Sequence, residues 1–204
     1  MSRRPYEQRL RAEAADATRE RILDALYERL GEGPVGPVSV DEVARRARVA
    51  RSTVYLAFGS RGGLFDALTE RLLGGEGYDR ILEATRHPDA RETLRGGLEG
   101  GVRMFAAHHE VFRVLYAIAR IEPDSVGEAL ARSERRRWKS MDWLAGRLSE
   151  QGLLRPDVTP ARAADVIWLL AGFEAFDQLA SGRGLDPDEV VEVLVQTAES
   201  ALLS

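Results

Sequence analysis

Apolar residues recur along this chain at spacings of three and four, and no stretch alternates with period two over a convincing length. That pattern predicts helix nearly throughout. The first helix is expected from about Ala17 to Leu30, with Ile22, Leu23, Leu26 and Leu30 facing inward and Gly31 ending it. After the loop Glu32–Pro37, Ser39 is placed to cap a second helix, and Glu42 to reach back in a capping box. Val40, Val43, Ala44 and Ala47 form its inner side. Arg48, Val49 and Ala50 then separate it from a short helix Arg51–Ala57, and a fourth starts near Arg61 and reaches the glycines at 74, 75 and 77. Further helices are predicted at roughly 78–86, 88–108, 109–121, 124–151, 160–181 and 187–203. Thr159-Pro160 and Asp186-Pro187 supply a cap and a first-position proline for the last two. Glycine and proline only punctuate, and there is no internal repeat.

Composition narrows the picture. A chain of 204 residues with 44% apolar and 30% charged residues reads as a soluble globular protein of one large or two small domains. The absence of cysteine excludes a disulfide framework, thiolate metal sites and a cysteine nucleophile, and no cofactor is expected. The longest apolar run, Val166 to Phe173, is far short of the ~20 residues that cross a bilayer, so no membrane partner is expected. The opening MSRRPYEQRL lacks an apolar signal core, which predicts a cytoplasmic protein.

Net charge is −4, which by itself argues against nucleic acid as a partner. The charge is unevenly spread, however. Residues 1–72 carry 13 arginines against 11 acids, whereas residues 73–204 carry 16 basic residues against 22 acids. The basic side consists of 28 arginines and one lysine, Lys139. We therefore divide the chain into a basic arm at 1–16, expected to be flexible, a small domain at 17–72 and a larger acidic domain at 73–204. Arg3, Arg4, Arg9 and Arg11 of the arm could enter a minor groove, but a solvated tail is the plainer reading.

Two short helices joined by a three-residue turn, with a third helix before them, make a helix-turn-helix at 39–58. In such a motif the second helix can lie in a major groove while the first crosses the backbone. Val54 and Phe58 give the expected recognition helix an apolar rear, with Val49 plugging the turn. Arg51, Ser52, Thr53 and Tyr55 give it a front of side chains able to reach phosphates and base edges.

The stretch Ser39-Val40-Asp41-Glu42-Val43-Ala44-Arg45-Arg46-Ala47-Arg48-Val49-Ala50-Arg51-Ser52-Thr53-Val54-Tyr55-Leu56-Ala57-Phe58, followed by Arg61 and Leu64, resembles the DNA-binding signature of the tetracycline-repressor (TetR) family. The likeness runs from about Thr18 to Leu73. Three positions depart from it: Arg48 stands where a turn glycine is usual, Ala50 where a capping residue is usual, and Ala57 where a histidine or other larger residue is common. The resemblance implies an all-α fold, with an N-terminal three-helix DNA-binding domain and a C-terminal helical domain for ligand binding and dimerisation. It implies that Arg51, Ser52 and Thr53 face bases and nearby phosphates, and that Tyr55 and Arg61 contact phosphate. Thr18, Arg45 and Arg46 are weaker candidates, and the two arginines are equally well read as a solvated face.

The last expected helix is apolar on more than one side through Val190, Val191, Val193, Leu194, Val195, Ala198, Ala201 and Leu202, which calls for a second packing partner. We therefore expect a homodimer through the last two helices, about 160–203. The resemblance also implies a cavity for a small, largely apolar effector. Phe105, His109, Phe112, Tyr116, Trp143, Trp168, Phe173 and Phe176 are its candidate lining, although aromatics at helical spacing are more often plain core. His108-His109-Glu110 is not a metal site, because neighbours on a helix point about 100° apart. The run Arg135-Arg136-Arg137 with Lys139 reads as a solvated face. Gly62, Gly63, Gly74, Gly75 and Gly77 are expected to act as soft joints of the helix that begins at Arg61. The function implied is a dimeric repressor released from a palindromic double-stranded DNA operator by that effector. The alternative is a small-molecule-binding helical protein whose operator binding has weakened. With no phosphate loop and no hydrolase elbow, an enzyme is not expected.

Overall fold

A computed structural model describes residues 3–32 and 36–204. Among these there are eleven α-helices: α1 (Arg3–Gly31), α2 (Val40–Arg46), α3 (Arg51–Phe58), α4 (Arg61–Leu72), α5 (Glu76–Thr85), α6 (Ala90–Ala107), α7 (His109–Ile121), α8 (Glu128–Glu150), α9 (Pro160–Leu170), α10 (Phe173–Arg183) and α11 (Pro187–Leu202). A single π-helical turn spans Pro123–Gly127, and the described residues contain no strand beyond an isolated bridge between Leu154 and Leu203.

The chain divides into two compact units. The first comprises residues 1–71 and 113–130, the second residues 72–112 and 131–204. The sequence boundary at 72 lies beside the division at residue 71, whereas residues 113–130, assigned by the sequence to the larger domain, fold with the N-terminal unit.

In the first unit the inward faces fall where the periodicity places them. Ile22, Leu23, Leu26 and Leu30 of α1 are buried with Val40, Val43 and Ala44 of α2, Val54 and Phe58 of α3, and Leu64, Phe65 and Leu68 of α4. Val114, Leu115 and Ile118 of α7, and Val126 of the π turn, are buried within the same unit. Helix α1 begins at Arg3, not at Ala17, so residues 3–16 of the expected arm are helical. Ala12, Ala14, Ala15 and Ala17 are strong helix formers, and Pro5 falls in the first turn, where a missing N–H costs nothing. The side chains of Arg3, Arg4, Arg9 and Arg11 lie outside the described residues.

The second unit is built around α6. It packs against α5 on one side and α11 on the other, with α9 and α10 completing the wall around α11. Its core joins Leu94 and Leu98 of α6, Leu144 and Leu148 of α8, Ala164 and Ile167 of α9, and Ala198 and Leu202 of α11. Asp186 and Glu189 form a complete capping box at the start of α11, and Thr159 caps α9 ahead of Pro160.

The helix expected over 160–181 is two helices, broken at Ala171–Gly172. The cause is a side chain from a distant part of the sequence. Arg137 of α8 donates to the Trp168 carbonyl at 2.6 Å, an acceptor that an unbroken helix would offer to the Gly172 N–H. The Gly172 N–H turns instead to Leu169 O, and glycine's low helix propensity makes the break easy.

Candidate nucleic-acid interface and ligand cavity

Ser39 caps α2 as expected, accepting from the Glu42 N–H at 3.1 Å. The capping box is only half formed, because the Glu42 carboxylate pairs with Arg29 at 2.8 Å and with Arg46 at 3.5 Å. Helix α2 ends in a Schellman motif. Arg48 N–H donates to Arg45 O at 3.2 Å, and Val49 N–H to Ala44 O at 3.0 Å. This closure requires a left-handed residue, and Arg48 supplies it at φ 55°, as no other non-glycine does among the described residues. An L side chain there costs about 1–2 kcal/mol, and replacement by glycine returns about 0.5–1 kcal/mol as lost backbone order. Arg48→Gly is therefore expected to raise stability by about 0.5–1 kcal/mol, measured by urea denaturation followed by circular dichroism; a loss of stability would contradict the strain.

Ala50 gives α3 no side-chain cap, yet the helix forms. Arg19 of α1 donates to the Ala57 carbonyl at 2.7 Å and lies over the Phe58 ring, satisfying the C-terminal end of α3. Neither the arginine at 48 nor the alanine at 50 opens the motif.

On α3, Val54 and Phe58 are buried, while Arg51, Ser52, Tyr55 and Leu56 form one exposed strip. Thr53 is half-buried at the edge of that strip. Arg51 pairs with Asp41 at 2.8 Å, donates to the Tyr55 hydroxyl at 3.3 Å and stacks on its ring. The hydrogen bond to Tyr55, then the Asp41 carboxylate, hold the guanidinium above the ordinary arginine pKa. These contacts pre-orient two phosphate-seeking groups on one face, and an exposed pair of this kind exchanges readily for a phosphate. Leu56, 89% exposed, is a member of the strip that the sequence pattern does not single out. A leucine standing free on a helix flanked by arginine and tyrosine suits a thymine methyl. Helical spacing carries its signal, since it lies four residues after Ser52.

Arg45 is exposed on α2, and Arg46 is held in a fork by Glu32, with both bonds at 2.8 Å. Arg61 is engaged within the unit. Its Nε donates to Val38 O at 3.1 Å, its terminal nitrogen donates to Ser125 Oγ at 2.9 Å and pairs with Glu122, and its guanidinium lies over Phe65. The π turn thus presents Glu122 and Ser125 to an arginine for which the resemblance implies a phosphate contact.

In the second unit a cavity of about 240 Å³ opens between α5, α6, α8 and α9. Of the residues expected to line it, Phe105 does, and Trp143 lines an adjoining groove of about 390 Å³. Phe112, Phe173, Phe176 and His109 do not. They pack with Phe105 as a closed cluster, with ring centroids 5.0–6.2 Å apart. Tyr116 belongs to the first unit. Trp168 sits edge-on to Trp138, with Arg137 over its ring. The lining comes instead largely from aliphatic residues such as Ile81, Leu94, Leu98 and Leu144, which the sequence does not distinguish from ordinary core. Arg136 and Arg137 also line the cavity, so the arginine run is not simply a solvated face.

His109 Nε2 lies 2.6 Å from Asp177 Oδ1 and 3.3 Å from Ser181 Oγ, while Ser181 donates to Asp177 at 2.7 Å. Serine, histidine and aspartate meet, but both contacts use one ring nitrogen and the hydroxyl points to the carboxylate. A histidine so placed cannot relay the serine proton. Among the described residues no group of histidine and carboxylate side chains could hold a metal, and no helix is long and apolar enough to cross a membrane.

Comparison with known proteins agrees with this geometry. The profile of bacterial regulatory proteins of the tetR family matches residues 22–68, from the last third of α1 through most of α4. The HTH-type transcriptional repressor SCO4008 of Streptomyces coelicolor is 25% identical over 101 residues, half of this chain, and the chain spans about half the length (49%) of that relative. NalD of Pseudomonas aeruginosa, the secondary repressor of the MexAB-OprM multidrug efflux pump, superposes with a TM-score of 0.72 at 24% identity over 93% of this chain and 98% of its own. A TetR family regulator from Marinobacter aquaeolei VT8 gives 0.69 at 20% identity over 95% and 99%. Residues 22–68, with their helix-turn-helix, thus match the tetR family of bacterial regulatory proteins, and the all-helical fold is shared along nearly the whole length with solved regulators.

Proposed function

We propose that this protein is a dimeric DNA-binding transcriptional repressor that leaves a palindromic operator when a small effector enters the cavity of its second unit. One observation carries the reading: Arg51, Ser52, Tyr55 and Leu56 form a single exposed strip on a helix whose opposite side is locked into the core by Val54 and Phe58. Such a strip reads a groove only if the helix is held rigidly, and the Schellman turn and the Arg19 cap hold both of its ends. The repressors among its relatives support the same reading. A homodimer is supported by the apolar side chains that one copy leaves in water, namely Trp168 and Leu169 of α9 and Val193 of α11. Two copies paired through α9–α11 would place two recognition helices on half-sites about 34 Å apart. We read the protein as acting in the cytoplasm, where that DNA is.

The test is a gel-shift titration on the DNA flanking the protein's own coding region, repeated over a salt series. Wild type is expected to bind with a steep loss of affinity as salt rises, and Arg51→Ala to weaken binding about tenfold or more. Tyr55→Phe is expected to weaken operator and random DNA to the same extent. A folded dimer that shifts none of this DNA at low salt would refute the reading.

A further inference from the structure

The cavity is chemically lopsided. Its polar lining side chains, Ser133, Arg136, Arg137 and Ser140, apart from the Tyr78 hydroxyl, all come from α8, at the three- and four-residue spacing of one helix face. The walls contributed by α5, α6 and α9 are apolar. The adjoining groove shares Tyr78, Ile81 and Met141 with the cavity and adds Lys139, the single lysine of the chain.

Among the described residues that line either space there is no carboxylate, although residues 73–204 carry six more acids than bases. An acid-free lining in an acidic stretch of chain is selective about charge. A cationic occupant would find no counter-charge on these walls and would meet Arg136 and Lys139. An uncharged occupant would make no use of the positive charge they carry. An anion joined to an apolar chain satisfies both halves, with its head on α8 and its chain against Ile81, Leu94 and Leu144. Arg136 and Lys139 are the most exposed cations of the lining, more so than the half-buried Arg137, and stand where the head would lie.

We propose that the effector is an amphipathic carboxylate, its apolar chain in the cavity between α5, α6 and α9 and its carboxylate on the Arg136–Lys139 side of α8. The proposal rests on the reading of this cavity as the effector site. Desolvating a carboxylate beside a guanidinium and hydroxyl donors is favourable only because those donors replace its water.

Calorimetric titration of the full chain with three ten-carbon probes below their micelle concentrations tests it: decanoate, decanol and decyltrimethylammonium. Decanoate is expected to bind at least about tenfold more tightly than decanol, and decyltrimethylammonium more weakly than either. In the variant R136Q/K139Q, decanoate affinity is expected to fall to that of decanol, while decanol binding stays as in wild type. Retained decanol binding also shows that the variant is folded, since both side chains are at the surface. Equal or tighter binding of the ammonium, or a decanoate preference that survives R136Q/K139Q, overturns the proposal while leaving an effector site in place. Binding of none of the three overturns the effector reading of the cavity and this proposal with it.

Discussion

Gly77→Ala is expected to destabilise the second unit by about 3 kcal/mol and to lower its melting temperature by about 6–12 °C. A Cβ at Gly77 would stand 2.6 Å from Met104 N, 2.8 Å from Gly100 O and 2.9 Å from Met104 Cα. All three are backbone atoms of α6, so no side chain can turn aside and the two helices must part. Gly100 faces back across the same crossing, and its Cβ would meet Gly77 O and Ile81 Cγ1, each at 2.7 Å. Neighbouring glycines supply the control. At Gly97 and Gly101 an added methyl group would have nothing within 4 Å, so Gly97→Ala or Gly101→Ala is expected to gain about 1 kcal/mol of helix propensity. A harmless Gly77→Ala in thermal unfolding would show that α5 and α6 do not need this approach. These contacts also give a packing reason for two of the five glycines expected to be soft joints, Gly63 and Gly77. At Gly63, as at Gly77, glycine is required because backbone comes close: a Cβ at Gly63 would collide with Phe58 O.

Arg61→Ala is expected to cost about 2–3 kcal/mol, because it leaves the Val38 carbonyl, the Ser125 hydroxyl and the Glu122 carboxylate without their donor. The pair is three-quarters buried, with Arg61 at 23% and Glu122 at 21% exposure, so solvent only partly replaces it. Equilibrium denaturation of Arg61→Ala, Glu122→Ala and the double variant should give a coupling of about 1 kcal/mol or more, near the net worth of a hydrogen bond to a charged group. The opposite pattern would be native stability with a salt slope for DNA binding flatter by about one unit, which would return Arg61 to the phosphate backbone.

Much of the first unit is legible in the sequence because it depends on local rules. Periodicity places Ile22, Leu26, Val43 and Val54 inward, and the glycine usual at the position of Arg48 in the family it resembles is a cue to the left-handed residue found there. What escapes the sequence is non-local or lacks an amphipathic signature. Residues 3–16 form helix, favoured by Ala12, Ala14 and Ala15, without a periodic apolar pattern in the sequence to mark them. The break between α9 and α10 depends on a guanidinium 31 residues away. Arg61 cannot be told from a phosphate ligand until the π turn brings Glu122 and Ser125 to it. The cavity lining differs from expectation for a physical reason. Aromatic rings attract one another edge to face, so the phenylalanines expected around a ligand close on themselves, and smaller aliphatic residues are left to border the space.

The tryptophans have a practical consequence. Trp138, Trp143 and Trp168 all lie in the second unit, each close to another indole or under an arginine, and the first unit contains none. Indole emission from this protein is thus a spectroscopic channel tuned to one half of the molecule. A melt followed at tryptophan wavelengths would record Gly77→Ala in the unit where that substitution acts. Tyr27, Tyr55 and Tyr116 are among the chromophores through which the first unit can be watched.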